Sequence, residues 1–441
     1  MTIRRVAALA LAAILLLSAC SGSSAGPAPS AAAPASLVRV NLTVPAGLDT
    51  APFDTQRQVL VPQGWTMSVF ARVPYARLEA WAPDGDLLVS VPGNGTVVRL
   101  TSDGKQSVLL SGLNQPHGLT FVGSKLYLAQ SDRVDVYTYA SGVAKDPKPI
   151  LTGLPDAKSP ELGGAYAHAL KTVVVGHDGS VYVSVGSTGN VSPDDLTANP
   201  PRASILRVPP GGGPAEPFAV GVRNGTGLAI APDGAVWTAV NNRDNIAYPF
   251  DQPYGGSDGP SQGEVIPDYV RDHPVEPLAK LTQGRNLGWP YCNPDADVNP
   301  GVKGSPQNPS NVPFTRDVET NKDGSRLDCT KLPRLEQSLG AHSAPLGMSF
   351  VDGGLPGEYA HGALIGVHGS WNASPPRAPE VSFFPWANGD LGKQQTLVGG
   401  FQAVDGSRWG RPVDAVLGPD HAVYVSDDQA GAIYRLVPPH S

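Results

Sequence analysis

Short apolar runs, each interrupted by a turn signal and resumed with alternating polarity, recur along the chain. Ala82-Pro83-Asp84-Gly85 leads into Asp86-Leu87-Leu88-Val89-Ser90, and Gly176-His177-Asp178-Gly179 into Ser180-Val181-Tyr182-Val183-Ser184. Ala231-Pro232-Asp233-Gly234 leads into Ala235-Val236-Trp237-Thr238, and Gly418-Pro419-Asp420-His421 into Ala422-Val423-Tyr424-Val425-Ser426. Two looser units run from Gln115 to Phe121 and on through Lys125 to Ala129, and from Leu346 to Phe350 and on through Ala363 to His368. An Asp-Gly step between two short runs of strand formers predicts a tight turn joining antiparallel strands. No such unit can bury its apolar face alone; radial packing of several solves the problem and leaves only short edges. Six units predict an all-β, six-bladed β-propeller over residues 41–441.

Composition agrees with that pattern. The 51 Gly and 45 Pro in 441 residues leave little room for long helices. Tyr248 to Ala344 breaks the spacing with a stretch rich in Pro, Gly and Asp, and is expected to form loops on one face of the propeller. The net charge of −7 comes without a basic stripe, which argues against a nucleic-acid partner.

The first residues read as an address. Arg4 and Arg5 precede an apolar run from Val6 to Leu17, too short to span a bilayer comfortably, and Leu17-Ser18-Ala19-Cys20 closes it. Residues 1–19 are therefore expected to be a signal peptide, with Cys20 lipidated after cleavage. A Ser/Ala/Pro-rich tether is expected to follow over 20–40. The chain is expected to be exported and lipid-anchored to the cell envelope, in the outer membrane or periplasm of a Gram-negative cell or on the outer face of the cytoplasmic membrane otherwise. With Cys20 lipidated, Cys292 and Cys329 remain as a pair in an oxidising compartment, open to a disulfide or to two separate buried thiols.

Polar residues cluster at the ends of the apolar runs, where propeller loops converge on the central channel. Gln115-Pro116-His117-Gly118 enters the second unit, and Tyr166-Ala167-His168-Ala169 the third. Gly221-Val222-Arg223-Asn224 enters the fourth, and Arg408-Trp409-Gly410-Arg411 the sixth. His368-Gly369-Ser370-Trp371-Asn372 follows a strand of the fifth.

These segments, with Asn241-Asn242-Arg243-Asp244 and Gly288-Trp289-Pro290-Tyr291-Cys292 and in this order, resemble the sorbosone dehydrogenase-type and pyranose dehydrogenase proteins, relatives of soluble pyrroloquinoline quinone (PQQ) glucose dehydrogenase. The resemblance runs from about Val59 to the C-terminus. It implies a six-bladed propeller that oxidises an aldose, sorbosone or similar sugar by hydride transfer to PQQ, with Ca²⁺ against the quinone. Carried over to this chain, His168 matches the general base, a role suited to a group that titrates near neutrality. Arg223 matches an arginine whose fixed charge stabilises the developing oxyanion. Gln115, Asn224, His368, Trp371, Arg408 and Arg411 match cofactor contacts, the last two as partners for a tricarboxylate. Backbone carbonyls of Asn242 and Arg243 fall where the family binds Ca²⁺.

Two positions depart from the family. Ala167 stands where the soluble glucose dehydrogenases have an aspartate, and Lys171 where close relatives carry arginine. Each site residue also has a plainer reading as a capped turn, a surface pair or a packed ring. Two other classes stay open: a Ca²⁺-dependent lactonase or hydrolase, which needs carboxylates around an axial ion, and a non-catalytic carbohydrate- or partner-binding propeller. No Cys-x-x-Cys-His haem attachment is present, so a separate electron acceptor is expected.

Overall fold

A computed structural model describes residues 36–256, 259, 261–370 and 373–439. Six antiparallel sheets follow one another along the chain. Blade one comprises Glu79–Trp81, Leu87–Val91, Thr96–Leu100 and Gln106–Leu110; blade two comprises Leu119–Val122, Lys125–Ala129, Arg133–Ala140 and Val143–Thr152. Blade three is Val173–Val175, Val181–Val185, Ser204–Val208 and Glu216–Val220, with Arg285–Asn286 added in parallel. Blade four begins with Gly227–Ile230 and Val236–Ala239, blade five with Pro345–Asp352, His361–Val367 and Glu380–Ala387. Blade six, Pro412–Leu417, Val423–Asp427 and Ala432–Val437, takes its outer strand from the other end of the chain: Thr66–Arg72 pairs antiparallel with Ala432–Val437. That pairing closes the ring.

The turns work as the sequence pattern predicts. Gly85, Gly179 and Gly234 sit at φ of 85°, 83° and 85°. Each amide closes back on the carbonyl three residues earlier at 2.8–3.0 Å. In blade six His421 occupies the same position at φ 60°, a conformation that costs a residue with a Cβ.

Between blades, apolar side chains meet in one cluster per interface. Phe383, Met67 and Val423 join blades five and six, and Trp237, Ile365 and Phe384 join four and five. Val173, Val183 and Ala129 join two and three. Each fully buried large side chain here contributes roughly 1.5–3 kcal/mol. The six inner strands face a central channel; Glu79, Leu119, Val173, Leu228, Met348 and Asp414 all line its cavity of about 270 Å³.

Two boundaries differ from expectation. The tether expected to reach residue 40 ends sooner, because Leu37–Asn41 already pairs with Gln58–Pro62. Val38 and Val40 alternate with polar neighbours, but over too short a run to stand out. The stretch from Tyr248 to Ala344 is not loop alone. It supplies blade four with Glu276–Leu281, Leu335–Leu339 and Ser310–Val312, strands not joined by the Asp-Gly turns that mark the first two strands of blades one, three and four. Cys292 and Cys329 form a disulfide within this stretch. Cys20 lies outside the described residues.

The turn geometry makes a two-sided prediction. At Gly85 an added Cβ would meet no atom within 4 Å, so Gly85→Ala isolates the backbone cost and should lower the unfolding free energy by about 1–2 kcal/mol. His421→Gly should raise it by up to about 1 kcal/mol. Denaturant unfolding measures both; equal effects of one sign would contradict the assignment.

Candidate active site

In an antiparallel blade, the entrance of the inner strand and the exit of the second strand lie at the same end. His168, Arg223, His342 and Arg411 precede the inner strands of blades three, four, five and six. Asn241 and Asp244 follow the second strand of blade four, and His368 to Ser370 follow that of blade five; Glu276 opens blade four's third strand. All of them line one cavity of about 260 Å³. Residues far apart in sequence thus share a pocket because the blades repeat.

His168 is held from behind. Its Nδ1 lies 3.0 Å from the Ser187 carbonyl and 2.9 Å from Ser187 Oγ, whose own proton goes to the Gly189 carbonyl. A carbonyl only accepts, so Nδ1 carries the proton and Nε2 keeps its lone pair. Gly186 permits this closeness: a Cβ there would come within 2.5 Å of His168 Cβ. Burial, reinforced by the charge of Arg223, pulls the imidazole down to about 3, so it is neutral at physiological pH.

Arg223 is buried, with hydrogen bonds to neutral oxygens: Asn241 carbonyl at 3.1 Å, Asn190 Oδ1 at 3.1 Å and Asn190 carbonyl at 3.4 Å. Burial lowers its pKa, opposed by the fields of Asp244 and Glu276. Arg411 donates to the carbonyls of His368 at 2.9 Å and Gly369 at 3.3 Å. Glu276 is pushed up to about 7 by burial, although the Asn242 amide bonds its carboxylate. His342 Nε2 donates to the Val270 carbonyl, 2.6 Å away, and its Nδ1 stands 3.3 Å from Asp244.

His368 pairs with Asp428 at 2.9 Å, and Arg77 reaches the same carboxylate at 2.8 Å. Burial holds His368 down at about 4. Burial opposes the charge on Asp428, but the contacts with His368 and Arg77 outweigh it and keep that carboxyl at about 2. With His368 neutral, the ion pair proper is Asp428 with Arg77.

Four of the residues singled out from the sequence therefore meet: His168, Arg223, His368 and Arg411. Others stand apart. Gln115 is exposed at a left-handed turn, φ 50°. Asn224 is buried behind Arg223, with its carbonyl accepting from the Asn241 amide. Arg408 braces the loop from outside, donating to Gln402 Oε1 at 2.8 Å and to the Ser370 carbonyl. Asn242 and Arg243 do not line the cavity; their side chains turn to the Val275 carbonyl and to Asp317 and Glu319. Trp371 lies outside the described residues. Lys171, one of the two departures, is buried beneath the site and donates to the carbonyls of Ala169 at 2.6 Å and Pro155 at 2.9 Å. It packs the scaffold and does not reach the cavity. Glu276 and His342 were not singled out from the sequence. His342 had a signal available: it precedes an inner strand as His117 and His168 do.

Cationic and anionic walls divide this cavity. Arg223 and Arg411 can take an anionic ligand, while Asp244, Glu276 and the Asn241 oxygen offer a hard cation the oxygens it needs. The lone pair of His168 offers a base in the same cavity.

Residues 59–438 match the model of a family described as TrAA12-like. The chain is 25% identical over 393 residues to an uncharacterised protein of Borreliella burgdorferi, covering 85% of this chain and 90% of that one. Among solved structures it is similar to the holo form of the pyranose dehydrogenase PQQ domain from Coprinopsis cinerea. That match has a TM-score of 0.72, 20% identity, and coverage of 89% of this chain and 99% of that one. A calcium structure of a Trichoderma reesei family AA12 protein gives a TM-score of 0.66 at 18% identity, over 86% and 96% of the two chains. The PQQ-bound aldose sugar dehydrogenase of Streptomyces coelicolor gives 0.51 at 14% identity, over 85% and 99%.

The neutral imidazole has a measurable consequence. The unfolded chain protonates His168 near the ordinary value of 6.5, whereas the folded chain resists until about 3. The contribution of this group to stability is complete above the first value and is lost as pH falls toward the second. His168→Gln should therefore flatten the acid-side decline in unfolding free energy by up to one proton per chain. Unchanged slopes would contradict the neutral, enclosed ring.

Proposed function

The chain belongs to the TrAA12-like family, and we propose that within it this protein is an oxidoreductase that oxidises a sugar, with PQQ as cofactor. The observation that carries the reading is the meeting of His168, Arg223 and Arg411 around one cavity. PQQ is a planar tricarboxylate, and two guanidinium groups bonded to neutral oxygens, Arg223 buried and Arg411 half-buried, suit such a ligand better than they suit a neutral one. The relatives named for PQQ and for calcium support the same choice.

PQQ, when bound, supplies the acceptor for a hydride from the sugar carbon. His168 Nε2 takes the proton of the hydroxyl on that carbon, with Nδ1–H anchored on Ser187 so that the ring cannot swing away. Arg223 places a fixed positive charge where negative charge develops, and its burial strengthens that field. Ca²⁺, when bound, supplies a Lewis acid, and Asp244 and Glu276 are the anionic oxygens in the cavity that suit it. An aldose or a sorbosone-like aldehyde hydrate meets these requirements, and a separate acceptor receives the electrons. Residues 1–19 as a signal peptide and a lipidated Cys20 would hold the enzyme to the cell envelope, where sugars and such an acceptor meet.

A lactonase would gather carboxylates around an axial ion; here the arginines and histidines of the cavity outnumber its acids, which favours the redox reading. The chain without residues 1–19, given PQQ and Ca²⁺, should reduce an artificial dye when aldoses are added. His168→Gln should lower kcat by about 10²–10⁴-fold while PQQ binding persists. Lactone turnover without PQQ, or no turnover of any sugar by the PQQ-loaded protein, would overturn the proposal.

A further inference from the structure

Away from the central cavity, the segment from Tyr248 onward builds a second cluster of metal-ligating groups. His273, Asp295 and Asp297 each present one ligand atom, and these atoms lie within 4.8 Å of one another. His273 Nε2 is 3.2 Å from Asp297 Oδ2 and 3.8 Å from Asp295 Oδ1. His273 and Asp295 are each 3% exposed, and His273 and Asp297 open onto a cavity of about 260 Å³ with Ser305 and Gln307 on its walls.

The histidine is oriented as a ligand would be. Its Nδ1 lies 2.9 Å from the Tyr269 carbonyl, which fixes the proton on that nitrogen and aims the Nε2 lone pair at the carboxylates. Tyr269 stacks on the ring with centroids 4.1 Å apart, so the imidazole cannot rotate out of place. Nε2 is buried and has no hydrogen-bond partner: its approach to Asp297 is close enough for an ion pair but lacks hydrogen-bond alignment. Burial opposes a second proton on this ring, but Asp297 outweighs it and raises the histidine's pKa, so the buried nitrogen facing two carboxylates is relieved either by its own protonation or by a cation between them.

Charge leads to the same place. Among the described residues, no lysine or arginine pairs with Asp295 or Asp297. The nearby cations are engaged elsewhere, Lys303 with Asp268 and Arg271 with Asp268 and Asp272. Two carboxylates and a neutral imidazole balance one divalent ion. Metal bonds of about 2.0–2.2 Å in tetrahedral geometry put ligand atoms roughly 3.3–3.6 Å apart. The two distances from Nε2, 3.2 and 3.8 Å, bracket that edge. One imidazole with two carboxylates suits zinc or manganese, whereas calcium prefers oxygen alone.

We propose that His273, Asp295 and Asp297 bind one divalent transition-metal ion of the zinc or manganese class, with the cavity side left for water. The ion ties the loop beginning at Asp295 to the short helix Pro267–Val270 that precedes His273. This site shares no residue with the sugar-oxidising cavity, and its test needs neither PQQ nor sugar.

The experiment strips the chain without residues 1–19 with a chelator and titrates it with Zn²⁺ and with Mn²⁺ by calorimetry. The same titrations are run on Asp297→Asn and His273→Gln. Wild type should bind one equivalent that both variants lose or hold at least tenfold more weakly, and that equivalent should raise the melting temperature of wild type alone. Variants with native circular dichroism that keep the same equivalent would overturn the site. Anomalous scattering at the zinc edge from wild-type crystals gives an answer that needs no variant. A peak between the three side chains supports the proposal, and a zinc-soaked crystal without one refutes it.

Discussion

Closure of the ring is the constraint from which the rest follows. Thr66–Arg72 lies beside Ala432–Val437 in antiparallel register, with Met67 opposite Leu436 and Val69 opposite Tyr434. Hydrogen bonds between the two ends of the domain convert six sheets that could fan open into a ring with fixed radius. Met67, Val69, Tyr434 and Leu436 are all buried at this seam. The candidate active-site cavity draws its walls from blades three, four, five and six. Freeing one end would release Arg411 and the Asp428–Arg77 pair from His368.

Within that ring, function rests on groups kept in states that water would not favour. A buried guanidinium, Arg223, and a half-buried one, Arg411, stand beside two imidazoles that stay neutral and a carboxyl, Glu276, that burial pushes toward protonation. An anionic ligand and a hard cation bound together, as proposed, would offset those costs. The backbone carbonyls of Ser187, Asn241, His368 and Gly369 do much of the positioning, and carbonyls are available wherever a strand has ended.

Much of this was legible in the residues. The repeat of Asp-Gly turns defines blades one, three and four, and the polar residues at the ends of strands in blades three to six include His168, Arg223, His368 and Arg411. Where the repeat fails, so did the reading. Glu276 and His342 lie in a stretch whose one described Asp-Gly turn, Asp323-Gly324, joins no two blade strands, so its three blade-four strands and a wall of the cavity carry no repeat signal. Gln115 and Arg408 occupy the right segments but point elsewhere, because position along a blade does not specify side-chain direction. Arg243 illustrates the same limit: its neighbour Asp244 faces the cavity, while its own guanidinium is drawn to Asp317 and Glu319. No spacing in the sequence could reveal those acids as its partners.

The central claim is that buried Arg223 and half-buried Arg411, brought together by blade repetition, grip a planar anionic quinone beside a neutral histidine. Equilibrium titration of the chain with PQQ in the presence of Ca²⁺, followed by quenching of intrinsic fluorescence, tests it most directly. The account predicts saturation at one PQQ per chain, with affinity falling at least tenfold in Arg223→Ala and again in Arg411→Ala. Affinity indifferent to both substitutions, or no saturable binding, would contradict it.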